Sequence, residues 1–361
     1  MPNKSFFFGI VTMLVIGIVI QVFLKNMHPE PPPPELPVKV QELEPDSIDK
    51  YTRDIEENPF DAEAYFKRGN LYFDLGEYER AIKDYTGALQ IDPNAYLAYN
   101  NRGDAYRRLE NYWEAVWDYD KAIELKSDYV GAYNNRGLAH YNLELYYLSI
   151  EDYDKVIELK PDYAIAYYNR ALAHYHLEEY ENAIVDYTSA IELNPDDIDS
   201  YNNRGLAYHN LEQYERAISD YTKAINLDPN FALAYNNRGW AYHNLEQYKR
   251  AISDYNKAVE LNPNYEIAYN NRGLAYGYLD DYKHAISDFS KAIELNPVYE
   301  DAYFNRGLAH QDLKQYAQAV ADYTKVIEFN PNNAYAYQLR GECYQELGDT
   351  EKAAADRAKA E

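Results

Sequence analysis

An arginine returns every 34 residues over most of the chain, at Arg68, Arg102, Arg136, Arg170, Arg204, Arg238, Arg272, Arg306 and Arg340. The nine copies stand in strict register, with no insertion between them. A period of this length restricts the fold more than any single motif. One short copy cannot enclose a core, and only stacked neighbours bury a continuous one. Each copy holds two apolar patterns of helical spacing. In the copy that begins at Ile198, Tyr201, Gly205 and Tyr208 share one helix face, and Leu211 ends the segment. After the polar turn Glu212-Gln213, Tyr214, Ala217, Ile218, Tyr221, Ala224, Ile225 and Leu227 mark the inward stripe of a second helix. Pro229 closes it, because proline cannot continue a helix interior. No stretch alternates apolar and polar residues with period two, so strands are not expected.

Each copy reads Y-x2-R-G-x2-Y…A-x3-Y…P, which is similar to the tetratricopeptide pattern W-x2-L-G-x2-Y…A-x3-F…P at the same period. From Ala62 onward the chain resembles a tetratricopeptide repeat array, with copies starting at residues 62, 96, 130, 164, 198, 232, 266, 300 and 334. The resemblance implies an all-α, right-handed solenoid of stacked antiparallel helix pairs, A and B, with a concave groove lined by the A helices. Gly205 and its equivalents, with alanine only at Ala171, let helix A approach helix B. Most of the 42 tyrosines are core aromatics whose hydroxyl reaches water or a partner. His140, His174 and His310 take a tyrosine register and are core histidines rather than metal ligands. The ends are expected to be capped. Residues 46–61 carry helix B spacing at Tyr51, Ile55 and Pro59, and the last helix is polar on its outer face, with Arg357 in the aromatic register.

Where the family pattern has leucine, this chain has the recurring arginine, and an aspartate stands sixteen residues later in all nine copies. Arg204 with Asp220, and Arg238 with Asp254, exemplify an ion pair expected to bridge helix A and helix B, or one repeat and the next.

The first residues differ in kind. Phe6–Leu24 is uncharged and, as a helix, about 28 Å long, close to the thickness of a bilayer core. Residues 5–25 therefore read as a transmembrane helix. A cleaved signal peptide is the rival reading, but the following "KNMHPEPPPP" lacks the small-x-small site that cleavage requires. Lys4 and the terminal amine before the span, against Lys25 after it, place the repeats outside the cytoplasm, periplasmic in a bacterium. Residues 26–45 form a proline-rich tether, of which "PEPPPPELP" spans roughly 30 Å as polyproline II. The prolines could alternatively serve as a ligand for a proline-binding domain.

The net charge of −25 disfavours nucleic acid, which demands clustered lysine and arginine, and repels anionic lipid. The single cysteine, Cys343, permits no intrachain disulfide. No phosphate-binding loop, nucleophile elbow or zinc-binding helix motif occurs, so the chain is not expected to be an enzyme or to carry a cofactor or metal.

Candidate contacts follow from the resemblance, which assigns the groove to helix A. Asn101, Asn135, Asn169, Asn203, Asn237, Asn271 and Asn305 recur at one register, and an amide offers both a donor and an acceptor to the backbone of an extended peptide. The alternative is that these amides solvate the groove or link repeat to repeat. Leu206 and Trp240 belong to an apolar row beside them, and Tyr141, Tyr175, His209 and His243 to the next register. The basic clamp that some family members use for a C-terminal carboxylate has no lysine set here. On the opposite face, Trp113, Trp117 and Tyr147 form a candidate docking or dimer patch. The leading expectation is a membrane-tethered scaffold that binds extended peptide segments of partner proteins. A glycan-binding component of an envelope polysaccharide export system and an organelle-surface receptor for precursor proteins are the alternatives.

Overall fold

The computed structural model describes residues 46–360, which form nineteen α-helices and no strand. The expected anchor (5–25) and tether (26–45) lie outside the described residues. Among the described residues no helix is long and apolar enough to cross a membrane.

Helix α1 (Asp46–Glu57) precedes nine A/B pairs. The first four are α2 (Ala62–Asp74) with α3 (Tyr78–Ile91), α4 (Tyr96–Arg108) with α5 (Tyr112–Leu125), α6 (Val130–Asn142) with α7 (Tyr146–Leu159), and α8 (Ala164–His176) with α9 (Tyr180–Leu193). Then come α10 (Ile198–Asn210), α11 (Tyr214–Leu227), α12 (Ala232–Asn244), α13 (Tyr248–Leu261), α14 (Glu266–Tyr278) and α15 (Tyr282–Leu295). The last are α16 (Glu300–Asp312), α17 (Tyr316–Phe329), α18 (Ala334–Glu346) and α19 (Thr350–Ala360). The chain divides into two compact units at Ala207 and Tyr208. Within each, an A helix packs on the B helix of its own repeat, and that B helix packs on the next A helix.

Small residues set the close approach. A Cβ added to Gly239 of α12 would lie 2.8 Å from Cε1 of Tyr255, so the ring of α13 rests against the glycine backbone. Tyr255 is fully buried there, flanked by Ala251 and Ala258. The same contact recurs at Gly69 with Tyr85, Gly103 with Tyr119 and Gly307 with Tyr323. In repeat four the alanine Ala171 takes this place and is fully buried.

The A-to-B turn is a Schellman motif, in which left-handed backbone lets late amides reach back to the helix carbonyls. In repeat six, Glu246 N–H donates to the His243 carbonyl and Gln247 N–H to the Tyr242 carbonyl, both at 2.8 Å. Glycine fills the left-handed position only at Gly76 and Gly348. Glu110, Glu144, Glu178, Glu212, Glu246, Asp280 and Lys314 hold it with φ between 57° and 60°. These side chains gave no hint of such a backbone in the sequence.

Candidate functional site

The recurring arginine is the most connected side chain of each repeat. Arg238 Nε and Nη2 donate to the two carboxylate oxygens of Asp254, both at 2.8 Å, joining helix A to helix B. Its Nη1 donates to Thr222 Oγ1 at 3.0 Å, one repeat back. Its guanidinium lies over the Tyr235 ring, 5.6 Å from the centroid. Arg68, Arg102, Arg272, Arg306 and Arg340 repeat the two-oxygen aspartate contact. Each of them also reaches a short polar side chain of the preceding repeat or cap, in turn Thr52, Thr86, Asn256, Ser290 and Thr324. In Arg136 and Arg170 that third partner is a second carboxylate, Asp120 or Asp154. Arg204 donates to Thr188 and lies over Tyr201, and Asp220 is buried. A planar fork suits this use, since one group satisfies a carboxylate with two bonds and still holds a third donor free. His140 adds Nδ1 to the Asp152 carboxylate at 2.8 Å, which accounts for the histidine at that tyrosine register.

The asparagine register is not an open ladder. Asn169, Asn203, Asn237, Asn271 and Asn305 are buried, while Asn101 and Asn135 are half-buried. Five of these amides join one A helix to the previous one. Asn271 Nδ2 donates to Asn236 Oδ1 and Asn305 Nδ2 to Asn270 Oδ1, both at 3.1 Å. Asn135 donates to Asn100, Asn101 to Asn70, and Asn203 to the Tyr168 hydroxyl. An amide bonded on its neighbour and shielded from water has little left to offer a peptide backbone. For Asn101, Asn135, Asn203, Asn271 and Asn305 the repeat-to-repeat alternative describes the amide, and with Asn169 and Asn237 also buried the register is not the open peptide contact expected from the sequence.

A similar correction applies to the adjacent registers. Tyr175, His209 and His243 are buried, and Tyr141 is half-buried. Each sets its ring edge-on to the first tyrosine of helix B, with centroids 5.1–5.5 Å apart. Burial pulls the imidazoles of His209 and His243 down to about 4, so both are neutral at pH 7. Within the apolar row, Leu138, Leu172, Leu274 and Leu308 are buried, whereas Leu206 and Trp240 are only partly buried. Trp240 stacks on His243, with centroids 4.9 Å apart.

What remains accessible on the A helices is a narrower set. Leu233 and Trp240 on α12, Ile267 and Tyr278 on α14, and Tyr335 on α18 are partly buried, and all but Leu233 also pack against the core. They occupy the second, ninth and thirteenth helix positions, which fall on one side of a 3.6-residue helix. In the unit before Tyr208, Leu97 and Ile165 hold the second position. The sequence reading missed this second-position row, although its apolar residues were visible there. On the B helices, Trp113, Trp117 and Tyr147 are 64%, 54% and 66% exposed. Only Trp117 has a ring partner, Tyr99, edge-on at 6.3 Å. Among the described residues no group of histidine, cysteine and carboxylate side chains could hold a metal ion.

The family model for the tetratricopeptide repeat matches residues 130–163, 164–197, 198–231, 232–265, 267–299 and 300–333. Two related repeat models match 69–109 and 103–144, and 51–83 and 322–355. No curated protein matches the sequence. Among solved structures, YrrB, described as a TPR protein with an unusual peptide-binding site, is 28% identical over 52% of this chain and 96% of its own, with a TM-score of 0.47. MamA is 29% identical over 45% of this chain and 89% of its own, with a TM-score of 0.43. The hetero-tetramer Cut9-Hcn1 is 17% identical over 81% of this chain and 58% of its own, with a TM-score of 0.53, a likeness of fold. Matched in successive whole repeats over more than half its length, the chain belongs to the tetratricopeptide repeat family.

Proposed function

We propose that this chain is a scaffold that holds partner proteins by extended segments laid along its A helices. The observation that carries the reading is how the polar side chains are used. The repeated arginine, aspartate and asparagine residues hold helices and repeats together, while the second, ninth and thirteenth A-helix positions keep partly accessible apolar or aromatic side chains. A row of rigid aromatic and aliphatic side chains on a stiff support suits an extended chain, which sets alternate side chains against it. The finer reading adds a membrane tether through Phe6–Leu24, with the repeats outside the cytoplasm. The Trp113–Trp117–Tyr147 patch adds a surface for a second copy or a docking partner.

Partners captured by cross-linking to the full chain, then compared with a Trp240→Ala, Tyr278→Ala variant that keeps its helical circular dichroism, test the central reading. Partners lost from the folded variant support it, and an unchanged set refutes it. Reporter fusions on either side of residues 5–25 test the tether and its orientation.

A further inference from the structure

The large exposed apolar side chains near the start of the B helices are confined to three repeats. Trp113 and Trp117 stand at the second and sixth positions of α5. Tyr147 and Leu148 hold the second and third positions of α7, and Val185 the sixth of α9. All five are exposed. Positions two and six are one turn apart and share a helix side. In the other six repeats these two positions hold only glutamate, lysine, serine or alanine. A local concentration of exposed apolar surface of this kind marks a docking site.

The chain joins the array level with this patch. Helix α1 takes the place of a B helix, since Arg68 donates to Thr52 at 3.1 Å as Arg102 does to Thr86 at 3.0 Å. Counted back by two 34-residue periods, Glu114 corresponds to Asp46, where α1 begins, and Trp117 to Asp49. Successive A helices meet, and packed helices lie about 8–10 Å apart, so two repeats span about 20–25 Å. The stretch from residue 37 to Asp46 can extend over at most about 30 Å, enough to bring residue 37 to α5. From α5 to α9 is again two repeats, and residues 29–37 as polyproline II cover roughly that distance at about 3.1 Å each.

We propose that this patch is the docking site of the chain's own proline-rich segment, residues 29–37, which lies outside the described residues. Pro31, Pro34 and Pro37 fall on one edge of a helix with three residues per turn, and Glu30 and Glu35 fall on the other two. Proline rings pack on aromatic faces. Polyproline II makes no internal hydrogen bonds, so its carbonyls can accept from the indole N–H of Trp113 or Trp117 and from the Tyr147 hydroxyl. Residues 38–45 cross α3, whose matching positions are the charged Glu79 and Lys83, so no apolar surface stops the segment short of α5. A connection this short holds the segment at an effective concentration in the millimolar range, so modest affinity suffices. The B helices carry this site, and it does not depend on what the A helices bind.

The test is acrylamide quenching of tryptophan emission in the full chain carrying Trp240→Phe, which leaves Trp113 and Trp117 as reporters. Adding Pro31→Ser, Pro34→Ser and Pro37→Ser should raise the quenching about twofold, because the rings lose a segment that covers them most of the time. Circular dichroism checks that the array is unchanged. The same three changes in a chain carrying Trp113→Phe and Trp117→Phe, where Trp240 reports, should alter nothing. A free peptide of residues 27–39 should bind the three-serine chain at least about threefold more tightly than the parent, whose patch is already covered. Trp113→Ser with Trp117→Ser should abolish that binding. Equal quenching with and without the prolines, or equal peptide binding by the two chains, overturns the inference. A proline effect that fades on dilution seats one copy's segment on another and overturns it too. Shielding that ignores the prolines and rises with protein concentration and light scattering makes the patch a contact between copies instead.

Discussion

Asp254→Ala removes the carboxylate that holds two of the three donors Arg238 uses. The pair is mostly buried, with the arginine side chain 17% exposed and the aspartate 9% exposed. Breaking a fully buried pair costs about 3–5 kcal/mol, because the remaining charge is stranded, whereas an exposed pair is worth about 0–1. Arg238 keeps its bond to Thr222 and its tyrosine face and can draw in some water, so a loss of about 2–3 kcal/mol is expected. The matched control is Ser253→Ala, an exposed neighbour on the same helix, for which a change within about 0.5 kcal/mol is expected. Arg238→Lys should fall between them, since an ammonium cannot span both oxygens and Thr222 at once. Urea unfolding by far-ultraviolet circular dichroism gives the ranking. Amide hydrogen exchange gives the location, because a repeat array weakens locally when one interface is cut. Protection should drop in α11 to α13 and hold in α17 to α19. If Asp254→Ala costs no more than Ser253→Ala, the arginine bridge is decoration and the account of repeat coupling is wrong.

Acidification acts on the buried histidines. His209 and His243 have folded values near 4, below the ordinary 6.5, so their contribution is whole above about pH 6.5 and is lost as pH falls toward 4, by about 3 kcal/mol each. Asp301, raised to about 6, acts with the opposite sign in the same window, its penalty growing as pH rises from about 4 to 6. His243→Tyr, which repeats the residue at Tyr141 and Tyr175, should flatten the melting temperature between pH 4 and 6.5 relative to the parent. Glu246→Gly should stabilise by up to about 1 kcal/mol, since left-handed backbone is costly for any residue with a Cβ, and a lowered melting temperature would refute this. Gly239→Val should cost about 3 kcal/mol or more in urea unfolding, because the added atoms meet the Tyr255 ring. Trp113→Ser with Trp117→Ser should leave stability within about 0.5 kcal/mol, while light scattering reports whether a second copy uses that patch.

The helix pattern was legible because it is written nine times. A single copy of Tyr201 to Pro229 would have left the turn and both faces ambiguous, whereas nine copies fix every register. The arginine–aspartate partnership was readable for the same reason, and so was its third contact, in hindsight. The register of Thr222 is always short and polar, but polar residues on a B helix look like ordinary solvated ones. The asparagines misled because most of them are bonded to the previous A helix, which their own spacing does not show. Helical spacing gives only an angle, and the rotation of one repeat on the next decides whether that angle looks outward or at the neighbouring helix. The Oδ1 of Asn305, buried without a hydrogen-bond partner, was invisible until the neighbouring donors were placed, since what leaves it so is a phenylalanine one residue away.

The backward reach of each arginine has a bearing on how such a chain changes over generations. Every copy brings its own arginine, aspartate and tyrosine, and presents a hydroxyl, amide or carboxylate to the copy that follows. Plug and socket of the arginine joint are thus carried together on one 34-residue module. Duplication or loss of a whole module leaves two matched ends, so the number of copies can drift without a refit of the joints. The side chains on the open sides of the A helices are released from that constraint, and it is there that copies can diverge toward different partners.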